Sequence, residues 1–200
     1  MRLIYIIWSV VSPTPIDIDA LRQMSEHYLT VETAKKQLVA ARVAGFTYDV
    51  PADLLIGVAR VESSYDPSST SRLVNGVRTT GMWPSRRPGK GFSGPYFCGN
   101  LQTMAGMSWR RCLAMRDPAV GYMAGAQEIA SWLKRSRGDV ALALAGHCCG
   151  NAGFEARRHG RATVANRYVR KVRRARAQFN AYKKDGPPDR VLTLKRRPGV

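Results

Sequence analysis

The helical spacing of apolar residues is the feature that most restricts the fold of this chain. Within residues 52–63, Leu54, Leu55 and Val58 recur at the three- and four-residue intervals that place side chains on one face of a helix. Similar patterns recur along the chain, which has no internal repeat and almost no strand-like alternation of apolar and polar residues. The sequence therefore predicts an all-α fold.

Capping residues divide the chain into predicted helices. Thr30 is a candidate N-cap of a helix that ends at Gly45, and Asp49 and Pro51 are start signals for the next helix. Asp117 with Pro118, and later Asp139, are further start signals. The predicted helices span 17–29, 31–45, 52–63, 119–137, 140–146 and 163–182, after a linker at 13–16 and with a Gly-rich segment after 146.

Residues 63–100 are rich in Ser, Gly, Pro and Arg and lack helical periodicity. So long an irregular stretch is uncommon inside a compact domain and is often functional.

The first residues, "MRLIYIIWSVVSPTP", combine one Arg with an apolar run. The run is shorter than the ~20 residues that a membrane-spanning helix needs. It resembles a signal peptide in length, although its cleavage signal is poor. Residues 1–16 are therefore interpreted as either a signal peptide or an apolar N-terminal segment that packs on the core.

The net charge of +18 favours an anionic partner, and the 44% hydrophobic fraction is sufficient for a core. Nucleic acid, an acidic membrane surface and a bacterial wall all satisfy the charge. The chain carries no helix-turn-helix, zinc-finger or RNP-like pattern, so no specific nucleic acid is expected.

The four cysteines are Cys98, Cys112, Cys148 and Cys149. An even number in an exported protein permits two disulfides, whereas buried free thiols would suit a cytosolic protein. Adjacency disfavours a bond between Cys148 and Cys149, so each is expected to pair elsewhere or to stay reduced. The "HCC" run at His147 lacks the spacing of a zinc site, and no metal is predicted.

Glu62 lies four residues after Val58 and eight after Leu54, so its carboxyl group points the way the apolar face points. Desolvation raises the pKa of a carboxyl group, and a general acid that works near neutral pH needs such a shift. The sequence therefore nominates Glu62 as a catalytic acid. The alternative is a helix-end glutamate that turns out into solvent.

The segment "VESSYDPSSTS", which contains Glu62 and Ser71, resembles the first motif of the soluble lytic transglycosylase family, which includes goose-type lysozyme. Three later segments resemble further family motifs in the same order. They are "CGNLQT" with Gln102, "CGNAG" with Asn151 and "YVRKV" with Tyr168. The chain departs from the family at Gly150, where an aromatic Tyr is expected, and His147 and Tyr168 are candidates to replace it. A second departure is an insertion at 72–98.

The resemblance implies a lysozyme-like helical domain over residues 17–183, with a basic C-terminal helix. Composition predicts a basic, disordered tail at 184–200. It implies cleavage of the β-1,4 bond between N-acetylmuramic acid and N-acetylglucosamine in peptidoglycan, with a 1,6-anhydro product. Glu62 would act as acid and then as base. Ser71 and Gln102 would hydrogen-bond Glu62 or the sugar, Asn151 would bind an N-acetyl or hydroxyl group, and Tyr168 would contact substrate.

On this interpretation the protein is a monomeric carbon-oxygen lyase of the periplasm or the extracellular space, and it needs no cofactor. Its partners would be glycan strands and anionic wall polymers, the latter held by Lys171, Arg173, Arg174 and Arg176. Two alternatives remain: a lysozyme-type hydrolase that uses water, and a non-catalytic basic protein that binds the wall or nucleic acid.

Overall fold

The computed structural model describes residues 12–25, 29–65, 117–161 and 163–185. These residues form six helices and no strand, so the all-α prediction is confirmed for them. The helices are α1 (Pro15–Met24), α2 (Val31–Tyr48), α3 (Ala52–Ser63), α4 (Pro118–Arg135), α5 (Val140–Arg158) and α6 (Val164–Asp185). The predicted insertion at 72–98, and with it Ser71, Gln102, Cys98 and Cys112, lies outside the described residues. Residues 1–11 of the N-terminal segment and 186–200 of the tail lie outside them too.

Helix α1 begins earlier than its apolar pattern predicted. Thr14 and Asp17 cap it reciprocally: the Asp17 amide donates to Thr14 Oγ1 at 3.2 Å, and the Thr14 amide donates to Asp17 Oδ2 at 2.9 Å. Pro15 occupies the first turn, where its missing amide proton is not needed. Residues 13–16 therefore contain a helix start and are not a linker, and α1 ends at Met24 instead of residue 29.

The boundary between α2 and α3 also differs from the prediction, although Thr30 does cap α2. Helix α2 continues through Gly45 to Tyr48, and its C-cap Asp49 has a left-handed φ of 54°. Asp49 thus terminates α2 and does not start α3. Gly45 is needed inside the helix because a Cβ there would lie 2.5 Å from the Val50 carbonyl oxygen. Gly45 therefore meets a packing requirement and is not the helix end that the sequence predicted.

The predicted caps of α4 and α5 are confirmed. Asp117 accepts a hydrogen bond from the Ala119 amide at 2.9 Å, and Asp139 accepts from the Ala141 amide at 2.7 Å. Helix α5, however, continues beyond residue 146 to Arg158. The segment expected to be a Gly-rich loop is helical, with one break at Gly150 (φ 61°, ψ −156°).

The last helix is close to its prediction. Helix α6 spans Val164–Asp185, so the first two residues of the predicted tail are helical. Among the described residues, no helix has both the length and the apolar character needed to cross a bilayer.

Helix α3 is the most enclosed element. All residues from 54 to 59 are buried, so this part of the helix is covered on every side. Leu54 and Leu55 are at most 1% exposed, and each contributes roughly 1.5–3 kcal/mol by burial. Helix α3 packs against α2 and α6, α4 packs against α2 and α5, and α5 packs against α6. Glu62 therefore stands at the end of a helix that runs through the core.

Candidate functional site

Glu62 occupies the last turn of α3, and its side chain is only 6% exposed. The carboxyl group follows the apolar face of the helix, as the spacing to Leu54 and Val58 predicted. A glutamate that turns out into solvent is not what the structure contains.

The chain leaves α3 through a tight turn just after Glu62. Ser64 and Tyr65 both adopt left-handed backbone angles, with φ of 53° and 68°. Arg60 donates a hydrogen bond to the Ser64 hydroxyl, and Gln37 of α2 donates to the Tyr65 carbonyl at 3.3 Å. These contacts fix the backbone that follows Glu62, so the position of the carboxyl group does not depend on the helix end alone.

The imidazole of His147, on α5, lies between two carboxyl groups. Its Nε2 atom is 4.0 Å from Glu62 Oε1, and its Nδ1 atom is 3.2 Å from Glu128 Oε2 on α4. The side chains of His147 and Glu128 are 0% and 3% exposed. We refer to these three residues as the Glu128–His147–Glu62 array. Three helices thus contribute one titratable group each to a single buried cluster.

The electrostatics of the array favour a charged imidazole. Burial by itself would lower the pKa of His147, because the imidazolium loses its hydration. The Glu128 carboxylate, by charge and hydrogen bond, and then the charge of Glu62 act in the opposite direction. The net result is a pKa of His147 raised above its ordinary value.

Tyr168, predicted to contact substrate, is buried on α6 against the array. Its ring centroid lies 6.1 Å from that of His147, with the two rings inclined by 49°. His147 and Tyr168, the two candidates to replace the aromatic residue expected at position 150, are therefore neighbours. Of the two, His147 faces Glu62, with Nε2 4.0 Å from Glu62 Oε1.

The segment after His147 departs from expectation at its cysteines. The sulfur atoms of Cys148 and Cys149 lie at disulfide distance from each other, so the expectation that each would pair elsewhere or stay reduced is not met. In the described ranges, no group of three or more His, Cys, Asp or Glu side chains is arranged to hold a metal ion.

Asn151 is exposed and belongs to a surface cluster on α4 and α5. It accepts a hydrogen bond from Arg135. The Arg135 guanidinium lies 5.2 Å from the Trp132 ring centroid and 4.8 Å from that of Phe154, and it is 3.6 Å from Glu155. The role of Asn151 in binding an N-acetyl group remains a prediction, as do the roles of Ser71 and Gln102.

Glu128 is the site residue that sequence reasoning missed, because the apolar face of α4 was interpreted simply as core. The spacing of Glu128 from two glycines of α4 could have indicated it. Glu128 lies three residues after Gly125 and seven after Gly121, and both glycines are buried. A carboxyl group that shares a helix face with glycines can be approached closely by another helix.

Comparisons of the chain with protein-family models, with curated proteins and with solved structures found no match.

Proposed function

We propose that the protein is a peptidoglycan lytic transglycosylase that cleaves the β-1,4 bond between N-acetylmuramic acid and N-acetylglucosamine. The observation that carries the proposal is the position of Glu62. Its side chain is 6% exposed, stands at the end of a core helix and lies beside a buried imidazole. The ordered motif matches around Glu62, Gln102, Asn151 and Tyr168 supply the reaction class.

In the proposed reaction, protonated Glu62 donates its proton to the glycosidic oxygen as the bond from that oxygen to C1 of the muramic sugar breaks. The Glu62 carboxylate then takes the proton of the C6 hydroxyl, and the C6 oxygen bonds to C1. The product is a 1,6-anhydro sugar, and no water is consumed. One carboxyl group therefore acts first as acid and then as base.

The array supports this mechanism over hydrolysis. Glycoside hydrolases usually place two carboxyl groups on opposite sides of the scissile bond. Glu128 is a second buried carboxyl group, but His147 stands between it and Glu62, with Nδ1 3.2 Å from Glu128 and Nε2 facing Glu62. The imidazole fills the space between the two carboxyl groups, so Glu128 is poorly placed to act as the second catalytic carboxylate.

The finer structural and cellular features belong to the same proposal. They are the lysozyme-like arrangement of the helices, binding of glycan strands by a monomer, and action in the periplasm or outside the cell. The all-helical described region is compatible with the first, and the motif order supports all three. Tyr168 is buried with its ring centroid 6.1 Å from that of His147, so it supports the imidazole that faces Glu62.

The proposal includes attachment to anionic wall polymers through α6, with a revised set of residues. Arg176 does not belong to that set, because its Nε atom donates to Asp53 at 2.7 Å. Four exposed residues instead follow one another at helical spacing and form what we call the α6 basic stripe: Arg167, Arg170, Lys171 and Arg174. Arg173 is also exposed, but its position along the helix places it off this line.

The decisive test is digestion of purified peptidoglycan by the wild type and by Glu62→Gln, with mass analysis of the released muropeptides. We expect anhydro products from the wild type, and a rate lower by about 10²–10⁴-fold in the variant, because the amide can neither donate nor accept the proton. Glu32→Gln is the matched control, since Glu32 is exposed and pairs with Lys36 on α2.

Three other outcomes would contradict the proposal. Equal activity of Glu62→Gln and wild type would overturn the assignment of Glu62. Products heavier by one water would identify the hydrolase alternative. Salt-sensitive binding of DNA without release of muropeptides would favour the non-catalytic, nucleic-acid-binding alternative.

A further inference from the structure

The Glu128–His147–Glu62 array contains a buried charge pair that the proposed reaction does not itself use. His147 and Glu128 are 0% and 3% exposed, and their closest atoms are 3.2 Å apart. Burial of two ionisable groups costs free energy, and a position among apolar residues would be more simply filled by apolar side chains. The pair lies against the one carboxyl group to which the reaction has been assigned.

We propose that His147 is a positioning residue for Glu62, that Glu128 orients it, and that its positive charge stabilises the ionised form of Glu62 between the two proton transfers. The inference rests on the proposed function, and it adds two residues to the machinery of that reaction.

Orientation of the ring follows from the geometry. Glu128 Oε2 faces Nδ1, so the imidazole is directed with Nε2 toward Glu62 Oε1. A carboxylate at one ring nitrogen determines what the other nitrogen presents, as in other carboxylate–histidine pairs. The Tyr168 ring, 6.1 Å from the imidazole between centroids, restricts its movement on the α6 side.

Helix packing holds the array together. Gly146 directly precedes His147, and a Cβ at that position would overlap the ring of Trp132 on α4. The absence of a side chain therefore lets α5 approach α4 closely at the residue before the imidazole. Close approach of these helices is what brings His147 within 3.2 Å of Glu128.

The positive charge of His147 is needed after the first proton transfer. The new Glu62 carboxylate is almost excluded from solvent and must persist until it takes the proton of the C6 hydroxyl. An imidazolium 4.0 Å away supplies a fixed positive charge in place of water. The proton on His147 stays where it is, and the transferred proton moves only from Glu62 to the leaving oxygen and from the C6 hydroxyl back to Glu62.

The titratable groups that face His147 come from three elements. Among the described residues they include Glu62 from α3, Glu128 from α4 and Tyr168, whose ring lies beside the imidazole, from α6. Among the described residues the two carboxyl groups are the ones that raise the pKa of His147, Glu128 first.

The test is the pH dependence of peptidoglycan cleavage by His147→Gln and by Glu128→Gln. A general acid works only while protonated, so activity falls on the alkaline side as Glu62 ionises. Loss of the neighbouring positive charge makes Glu62 retain its proton to higher pH. We expect the alkaline limb of the pH–rate profile to move to higher pH by about 1–3 units in His147→Gln, with a lower maximal rate. Glu128→Gln should move it in the same direction, because His147 then loses its own proton more easily.

Matched controls separate this effect from a general loss of structure. His159→Gln changes an exposed histidine that pairs with Glu155, and Glu32→Gln changes an exposed glutamate. Both should keep the wild-type profile. A purely structural role for His147 would lower the rate of folded protein at every pH without moving the limb, and that result would overturn the inference.

A second measurement does not require the variants to fold. The chain has three histidines, whose imidazole signals can be followed by NMR during a pH titration of the intact wild type. The signal of His147, assigned through its proximity to the Tyr168 ring, should titrate above the ordinary value of about 6.5. Titration of all three at or below that value would refute the charged His147 on which the inference depends.

The inference and the proposed function fail in different ways. If Glu62→Gln is inactive but His147→Gln retains the wild-type limb, the role of His147 is wrong and the function stands. If the wild type releases no muropeptides, the proposed function is wrong, and the role of His147 falls with it.

Discussion

At the scale of single residues, one buried charged side chain can be held by several partners at once. Asp17 is the clearest case, because its carboxylate caps α1 and also lies 2.6 Å from Arg42 and 3.3 Å from Lys183. Burial raises the pKa of Asp17, but the hydrogen bonds from Thr14 and the two cations outweigh it, so the pKa is lowered. One carboxylate thereby ties together α1, α2 and α6.

Asp17→Asn should lower the free energy of unfolding by about 2–4 kcal/mol, because it weakens the cap and leaves two cations without their counter-ion. Since the pKa is lower in the folded state, the contribution of Asp17 is present above its ordinary value of 3.8 and is lost as the pH falls below it. Urea unfolding of both proteins at pH 7 and at about pH 3 measures the difference and its loss.

Asp19→Asn is the matched control for that experiment, since the Asp19 side chain is 58% exposed and pairs only loosely with Arg22, at 3.7 Å. It should change stability by less than about 0.5 kcal/mol. Equal effects of the two substitutions would contradict the role of Asp17.

At the scale of elements, the helix that carries Glu62 is clamped to α6 near its other end. Asp53 Oδ2, in the first turn of α3, accepts hydrogen bonds from Arg176 Nε and Asn180 Nδ2, both at 2.7 Å. Burial raises the pKa of Asp53, but these bonds outweigh it and the pKa is lowered. The clamp sets the register of α6 on α3, and therefore the position of Tyr168 relative to Glu62.

A double-mutant cycle between Asp53→Asn and Arg176→Gln should give a coupling of about 0.5–2 kcal/mol in the free energy of unfolding, since both groups are partly exposed and hence partly screened. The same cycle with Arg173→Gln, which replaces an exposed neighbour on α6, should give a coupling near zero. Similar coupling in the two cycles would show that net charge, and not the contact, stabilises the helix pair.

At the scale of the whole molecule, the basic residues behind the net charge of +18 fall into two groups, those that pair with carboxylates and those that do not. Arg42, Arg176 and Lys183 pair with carboxylates of other helices. The α6 basic stripe makes no ion pair with an acidic residue in the described ranges. Charge that is not used internally is available for an anionic polymer.

Replacing the whole α6 basic stripe with Gln should weaken binding to purified wall material at low ionic strength by at least about tenfold, and should reduce the dependence of binding on salt. Co-sedimentation across a salt series measures both. A control of equal charge change replaces four exposed basic residues of other helices and turns: Lys35, Lys36, Lys134 and Arg137. Equal weakening in the control would mean that total charge, and not the stripe, determines binding.

The features that the sequence by itself determined are those set by residues a few positions apart. Thr30, Asp117 and Asp139 were recognised as caps because a cap bonds to amides in the same turn. Glu62 was placed on the apolar side of α3 because helical periodicity is a local property. Boundaries were predicted less well at Gly45 and Gly146, where a glycine allows close packing within a helix and does not mark a helix end.

The partners of Glu62 were decided only by the tertiary structure. His147 and Glu128 lie far along the chain from Glu62, and nothing in their local sequence states which helix faces will meet. The same holds for Asp53 and Arg176, which are separated by 123 positions. Contacts within a turn follow from backbone geometry. Contacts between helices depend on the free energy of packing the whole core, to which residues far apart in the sequence contribute together.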